Sequence, residues 1–151
     1  MRPNTKIVWL ETPTNPMLKV FDISKIAKIC KSHGALLVVD NTFMTPVNQN
    51  PLDLGADIVS ISMTKYIGGH SDLMAGCICL NDRELYDRLY FRLKTVGTGL
   101  DSFHSWLAMR SCKTLTVRVE AAMSNAMAIA EMLEKHPKID GVNFPGLKSH
   151  P

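Results

Sequence analysis

Apolar and polar residues follow one another along the chain in blocks that are typical of alternating strands and helices. Short apolar runs over 6–11, 35–39, 56–61 and 75–80 predict four strands, and 142–144 predicts the start of another. Apolar residues at helical spacing predict helices that begin after Asp22 and Asp82 and helices over 105–112 and 114–133. Strands joined by helical crossovers predict an α/β fold with a largely parallel sheet flanked by helices.

Composition places the chain among ordinary globular proteins. Its 151 residues are 46% hydrophobic and 21% charged, which is enough for one domain with a core. The net charge of +3 is spread along the chain, so it gives no reason to expect binding to nucleic acid or to an anionic membrane. The apolar runs are too short to span a bilayer, and residues 1–10 lack the apolar core of a signal peptide. The expected location is therefore the cytoplasm.

Polar side chains that could carry chemistry follow three of the predicted strands. In a parallel sheet the carboxyl ends of the strands share one edge, where ligands bind. The residues expected to converge there are Asn15, Asp40, Thr42, Ser62, Thr64 and Lys65.

Lys65 is the most informative of these residues. It follows an apolar run and the hydroxyls of Ser62 and Thr64, and it precedes Gly68 and Gly69, which permit a tight turn. A lysine that forms an imine with an aldehyde, together with an aspartate that pairs with a pyridinium nitrogen, is what pyridoxal phosphate (PLP) chemistry requires. Asp40 is the candidate aspartate.

Each of these residues also has a simpler interpretation. A lysine taken at random is a solvated surface residue, and Asp40 could equally cap a helix. The hydroxyls of Ser62 and Thr64 could be satisfied by nearby backbone groups. These alternatives stay open on residue chemistry alone.

Other kinds of site find less support. The glycine pair lacks the Gly-Lys-Ser/Thr of a Walker loop, and no Gly-x-Ser-x-Gly elbow is present. His70 and Asp72 have no further ligand at helical spacing, so we expect a structural histidine and no metal site. The four cysteines form no Cys-x-x-Cys pair and are expected to be reduced and buried.

Several segments together resemble the cystathionine lyases and synthases of sulfur amino-acid metabolism, which are fold type I PLP enzymes. The resemblance covers essentially the whole chain, and the motif around Lys65 is highly specific. The matching segments are 11–16, 38–43, 54–58, 62–66, 69–72, 113–115 with Arg118, and 145–147 with 149–151. The resemblance implies that residues 1–140 are part of the cofactor-binding large domain and that 141–151 begin a truncated carboxy-terminal domain.

The resemblance also implies roles for individual residues. Lys65 would hold PLP covalently and move protons, while Asp40 would pair with the pyridinium nitrogen. The remaining cofactor-binding residues implied are Thr42, Ser62 and Thr64 (the last two at the phosphate), Asn15 at the ring oxygen, and Glu11, which orders the Asn15 loop. The implied partners are a small amino-acid substrate and further copies of the chain, as in the family's homotetramers.

The choice of family member depends on fewer residues. The segments 97–100 and 72–76, with Phe103 and Trp106, look more like the cystathionine β-lyases of plants, which form homocysteine, pyruvate and ammonia. Cystathionine γ-lyase, γ-synthase and methionine γ-lyase are the alternatives. Another is a truncated, non-catalytic fragment that associates with full-length subunits. The chain departs from the family pattern at Met63 and at Ser111-Cys112. It is expected to lack the tyrosine that stacks on the cofactor and the arginine that binds the substrate carboxylate.

Overall fold

The computed structural model describes residues 1–150 as a mixed sheet with helices. The strands are β1 (Ile7–Glu11), β2 (Leu36–Asp40), β3 (Ile58–Ser62) and β4 (Gly76–Cys79), and they lie in the order β1-β2-β3-β4. The helices are α1 (Ile23–Ser32), α2 (Thr45–Asn48), α3 (Arg83–Val96), α4 (Ser102–Cys112) and α5 (Leu115–Glu134). The first three strands are parallel and β4 is antiparallel to β3. The predicted fold class, α/β with a largely parallel sheet, is confirmed.

Helix boundaries follow the local sequence. The carboxylate of Asp22 accepts a hydrogen bond from the backbone N–H of Lys25 at 3.0 Å, so it caps α1. Gly34, with φ +63°, takes the left-handed conformation just after that helix. Asp82 caps α3 in the same way, through the N–H of Leu85 at 2.7 Å. Both predicted caps are therefore confirmed.

The strand register fixes which residues meet at the edge of the sheet. Glu11 lies beside Asp40, and Asp40 lies beside Ser60. Because β1, β2 and β3 run in the same direction, their carboxyl ends open on one side. The loops that leave this side carry most of the residues predicted for the site.

The core lies mainly on one face of the sheet. Leu37 and Val39 of β2 are fully buried beneath α1, against side chains that include Ile23 and Cys30. The neighbouring cluster joins β3 to α5 and consists of Val59, Ile61, Ile67, Leu115 and Val119. Since paired residues of neighbouring strands share a face, α1 and α5 cover the same side of the sheet.

Much apolar surface stays exposed elsewhere. Helix α3 buries none of its residues, and Phe91 and Val96 are 63% and 70% exposed. The helix is supported locally by its cap and by stacked Tyr86 and Tyr90, whose ring centroids are 5.7 Å apart. Exposed apolar surface of this kind is typical of protein contact sites.

No helix within residues 1–150 is both long and apolar enough to cross a membrane.

The prediction that a strand begins at 142–144 is wrong. These residues form no strand; instead the side chain of Asn143 donates a hydrogen bond to the carbonyl of Met17 at 2.6 Å. A turn follows, closed by the N–H of Leu147 and the carbonyl of Phe144. The segment is thus held against the loop after β1 rather than at a sheet edge. The domain boundary at residue 140 stays a prediction, and Pro151 lies outside the described residues.

The cysteine prediction needs correction. None of the four cysteines forms a disulfide in the described structure, but only Cys30 is buried; Cys79 and Cys112 are exposed, and Cys77 is intermediate. Cys77 and Cys79 do share a face of β4. Burial, together with the neighbouring Cys79 and Cys112 thiols, raises the pKa of Cys77 to about 11.

The reactivity of the four thiols should decrease from the exposed cysteines to the buried one. At mildly alkaline pH we expect iodoacetamide to alkylate Cys79 and Cys112 first. Cys77 should react slowly, because its raised pKa keeps the thiol protonated until the pH approaches 11. Cys30, which is 1% exposed, should react only after unfolding. Mass spectrometry of timed samples would measure the four rates, and equal rates at Cys77 and Cys79 would contradict the structure.

Candidate active site

Lys65 lies in a tight turn that follows β3. The strand ends at Ser62, whose carbonyl accepts the N–H of Lys65 at 3.3 Å. The N–H groups of Gly68 and Gly69 then bond to the carbonyls of Met63 and Lys65, each at 2.7 Å. Lys65 is exposed, and its ammonium forms no ion pair within the described residues. The turn thus presents a primary amine with no protein partner.

A chain of hydrogen bonds links the ends of β2 and β3. The Oδ1 atom of Asp40 accepts the N–H of Thr42 at 3.0 Å, and the Thr42 hydroxyl accepts the N–H of Ser62 at 2.8 Å. Asp40, Thr42 and Ser62 therefore form one connected group at the sheet edge, called the Asp40 group below. Ser62 lies three residues before Lys65 in the sequence. In residues 1–150 neither Oδ2 of Asp40 nor the Ser62 hydroxyl has a hydrogen-bond partner, so both are available to a ligand.

The loop after β1 completes this edge. Glu11 ends β1 beside Asp40, and its Oε2 atom accepts the N–H of Asn15 at 3.2 Å. Glu11 thus holds the loop that carries Asn15, whose side chain makes no hydrogen bond to another of the described residues.

Thr64 is engaged differently from the other hydroxyl residues. Its hydroxyl donates to the carbonyl of Ala75 at 3.2 Å and accepts the N–H of Ala75 at 3.1 Å. The predicted phosphate role of Thr64 stays a prediction, and the structure gives its hydroxyl a second task, closing the loop between β3 and β4.

A buried amide network supports the edge and was not foreseen from the sequence. Asn41 is 1% exposed; its side chain donates to the carbonyl of Gln49 and accepts from the Gln49 amide, both at 2.8 Å. The Gln49 amide also donates to the carbonyl of Thr12 at 3.2 Å. This network ties the residue next to Asp40 to the loop after β1. No local sequence signal identifies it, because Asn41 and Gln49 also fit an ordinary turn.

Lys65 opens onto a cleft of about 900 Å³. The cleft is lined by Thr64, Lys65, Tyr66, Gly69, Ser71, Asp72, Leu73, Met74, His104 and Arg118. Asp40, Thr42 and Ser62 are not among the lining residues. The cleft thus begins at Thr64 and Lys65, just after β3, while the Asp40 group (Asp40, Thr42 and Ser62) lies at the strand ends outside its lining.

Two histidines near the cleft have defined partners. The Nδ1 atom of His70 lies 2.7 Å from the carbonyl oxygen of Gly68, which agrees with the structural role expected for it. His104, which the sequence did not single out, lies with Nδ1 2.5 Å from Oδ2 of Asp101. The backbone N–H of His104, followed by its side chain, lowers the pKa of Asp101, which caps α4.

Comparison with known proteins decides the family. The model of the family described as "Cys/Met metabolism PLP-dependent enzyme" matches residues 1–151. The chain belongs to this family.

Relatives within the Cys/Met metabolism family carry more than one activity in their names. The chain is 56% identical to a cystathionine γ-lyase of Dictyostelium discoideum over 97% of its own length and 38% of the relative's. It is 49% identical to a chloroplastic cystathionine β-lyase of Mimosa pudica, over 99% of its length and 33% of the relative's. The chain thus spans well under half of these relatives, and the names do not decide between β- and γ-elimination.

Solved structures of the Cys/Met metabolism family agree with the fold. A cystathionine γ-lyase from Lactobacillus plantarum, complexed with L-serine, matches with a TM-score of 0.97 and 40% identity. The match covers all of this chain and 40% of that one. The metB structure from Corynebacterium glutamicum also gives a TM-score of 0.97, at 46% identity.

The residues present fit the cofactor that the family name specifies. PLP needs a primary amine for its aldehyde, an anion for its pyridinium nitrogen and donors for its phosphate. Lys65 offers an amine with no protein partner, Asp40 a carboxylate oxygen without one, and Ser62 a free hydroxyl. All three lie at the carboxyl ends of β2 and β3. These three residues thus offer one group for each of the three needs.

Thr42 allows a direct test of how this edge is held together. We expect Thr42→Val to destabilise the fold by about 1–3 kcal/mol, because the half-buried N–H of Ser62 loses its acceptor. Thr42→Ser, which keeps the hydroxyl, is the matched control and should lose less. Chemical denaturation would measure both free energies of unfolding. Equal losses in the two variants would show that the hydroxyl does not support the edge.

Proposed function

We propose that this chain is the cofactor-binding part of a PLP-dependent carbon–sulfur lyase that acts on cystathionine. The observation that carries the proposal is the unpaired amine of Lys65, presented by a tight turn next to the hydrogen-bonded group of Asp40, Thr42 and Ser62. The family match supports the cofactor, and the names of the relatives support the substrate class.

The proposed roles follow from the atoms that are available. Lys65 would attach the cofactor through Nζ, and Oδ2 of Asp40 would accept a hydrogen bond from the pyridinium N–H. The Ser62 hydroxyl, with Thr64, would hold the phosphate, and Asn15 would contact the ring oxygen. When bound, PLP supplies an electron sink for negative charge at the substrate α-carbon.

The rest of the chemistry belongs to the chain's own residues. Lys65 Nζ, in its neutral form, would take the proton from the substrate α-carbon as a general base. The hydrogen bond from Thr42 to Oδ1 of Asp40 would fix the carboxylate, so that Oδ2 keeps its orientation. Glu11 would act indirectly by holding the Asn15 loop.

The first experiment is a PLP titration of the purified chain. We expect a saturable visible absorbance band, and borohydride reduction followed by peptide mapping should place the label on Lys65. Label spread over several surface lysines, with no saturation, would overturn the proposal that this chain holds a cofactor site.

Product analysis would then decide the reaction. β-Elimination of cystathionine, the specificity predicted from the sequence, releases homocysteine, pyruvate and ammonia. γ-Elimination, which the 56% identical γ-lyase supports, breaks the other carbon–sulfur bond and releases cysteine, a four-carbon oxo acid and ammonia. Mass spectrometry of the two thiols distinguishes the reactions. A chain that binds PLP at Lys65 but forms neither thiol would support the alternative of a non-catalytic fragment.

Association with further copies and a cytoplasmic location complete the proposal. The exposed apolar side chains of α3, such as Phe91 and Val96, favour association, since such surface is costly in water. The four cysteines without disulfides suit a reducing compartment. Light scattering after size exclusion would measure the mass, and a monomer at high concentration would argue against association.

A further inference from the structure

Arg118 of α5 reaches from its helix to the turn that carries Lys65. Its Nη1 atom donates to the carbonyl of Tyr66 at 2.6 Å, and Nη2 donates to the carbonyl of Ile67 at 3.3 Å. These are the two residues directly after Lys65. The same half-buried guanidinium therefore binds the backbone of the turn at two successive peptide groups.

The other side of the guanidinium is anchored to the helices. Nη2 also donates to the carbonyl of Ser111 at 3.0 Å, and Nε donates to the hydroxyl of Thr114 at 3.1 Å. Ser111 lies in the last turn of α4 and Thr114 just before α5. A single planar group with several donors thus joins the Lys65 turn to the α4–α5 junction. Lysine, with one nitrogen, cannot reproduce this arrangement.

Gly69 makes room for the arginine. Its φ of +70° favours glycine, and a Cβ atom at this position would lie 2.1 Å from Nη1 of Arg118 and 2.6 Å from Cζ. The turn therefore folds directly onto the guanidinium. A side chain at residue 69 would displace either the arginine or the turn.

We propose that Arg118 is a positioning residue, which holds the turn over 65–69 so that the amine of Lys65 faces the cleft. The inference rests on the proposed function, because the position of Lys65 matters for chemistry only if its amine binds the cofactor. The hydrogen bonds to the turn do not depend on that function. The side chain of Ile67 also packs with Leu115 and Val119 of α5, and Arg118 adds directed hydrogen bonds to the two carbonyls that follow Lys65. A displacement of about 1 Å at a reacting group can cost a hundredfold in rate, so the position of this turn matters for the chemistry.

The test compares Arg118→Met, Arg118→Lys and the wild-type chain. Arg92→Met is the matched control, since Arg92 is exposed on α3 and its side chain makes no hydrogen bond to another of the described residues. We expect Arg118→Met to speed amide hydrogen exchange over 65–69 by about tenfold or more, while exchange in β2 stays unchanged. Release of PLP from Lys65 should also be about tenfold to a hundredfold faster. Arg118→Lys should recover part of both effects, and Arg92→Met should match the wild type.

A second variant tests the contact without removing the arginine. Gly69→Ala should speed exchange in the turn in the wild-type background, because the new Cβ displaces the guanidinium. In the Arg118→Met background the same change should have a smaller effect, since only the strain of the positive φ remains. Equal effects in both backgrounds would overturn the inference. If Arg118→Met does not fold, the Gly69→Ala comparison is made in the Arg118→Lys background, where equal effects would likewise overturn the inference.

Failure of this inference can be told apart from failure of the proposed function. If wild-type chain does not attach PLP at Lys65, the proposed function fails, and the exchange rates still decide whether Arg118 holds the turn. If Arg118→Met keeps wild-type exchange over 65–69 and wild-type PLP release, the inference fails. Faster exchange throughout the sheet as well would also overturn it, because that result indicates a general structural role.

Discussion

Replacing Lys65 with alanine is expected to abolish covalent attachment of PLP to the chain. Lys65 Nζ is the amine that the turn after β3 presents without a protein partner, and the Asp40 group lies next to that turn. Any carbon–sulfur cleavage should fall by about 10²–10⁴-fold or more, because the general base is removed along with the point of attachment. Absorbance during PLP titration and borohydride mapping would measure the first effect, and thiol release from cystathionine the second.

The control for this variant is Lys28→Ala. Lys28 is an exposed lysine of α1 that does not line the cleft beside Lys65, and its loss should leave attachment unchanged. The Lys65→Ala variant should keep the wild-type melting temperature, because the side chain is exposed and makes no ion pair. If Lys65→Ala retains a saturable PLP band of wild-type intensity, Lys65 is not the attachment site.

The candidate site residues can be proposed from the sequence where the chemistry depends on residues close together in the chain. Lys65 stands out because hydroxyls precede it and glycines follow it, and Asp40 because it ends a continuous apolar run. The same run explains why β2 was predictable: Leu37, Val38 and Val39 are all buried, so both faces of the strand are apolar. Local capping signals at Asp22 and Asp82 also predict where α1 and α3 begin.

Features that depend on distant residues could not be predicted in this way. The direction of β4 is not encoded in its apolar run, although the lack of helical spacing over 63–75 agrees with an antiparallel return. Arg118 lies on α5, yet its two acceptors in the Lys65 turn are 51 and 52 residues earlier in the chain. The exposure of Cys79 depends on what packs over the edge strand. Each of these is set by tertiary packing, which spacing along the sequence does not record.

The core beneath α1 gives the largest expected effect on stability. Leu37 has no exposed surface and packs with Ile23, Ala27 and Cys30 of that helix. We expect Leu37→Ala to lower the free energy of unfolding by about 2–5 kcal/mol, because it removes buried methyl groups and leaves a cavity that the sheet and helix fill only in part. For a domain of ordinary marginal stability this is a large fraction of the total. Urea denaturation, followed by circular dichroism, would measure the change.

Leu93→Ala is the matched control for the core, since it removes the same atoms from a leucine on α3 that is 42% exposed. Its effect should be within about 0.5 kcal/mol, because surface substitutions leave no cavity and alanine favours the helix. The contrast matters for the site as well, because Leu37 lies three residues before Asp40 on the same strand. Loosening β2 should therefore weaken PLP binding at Lys65 in proportion to the fraction unfolded. A Leu37→Ala chain as stable as the wild type would mean that α1 does not pack on β2 as described.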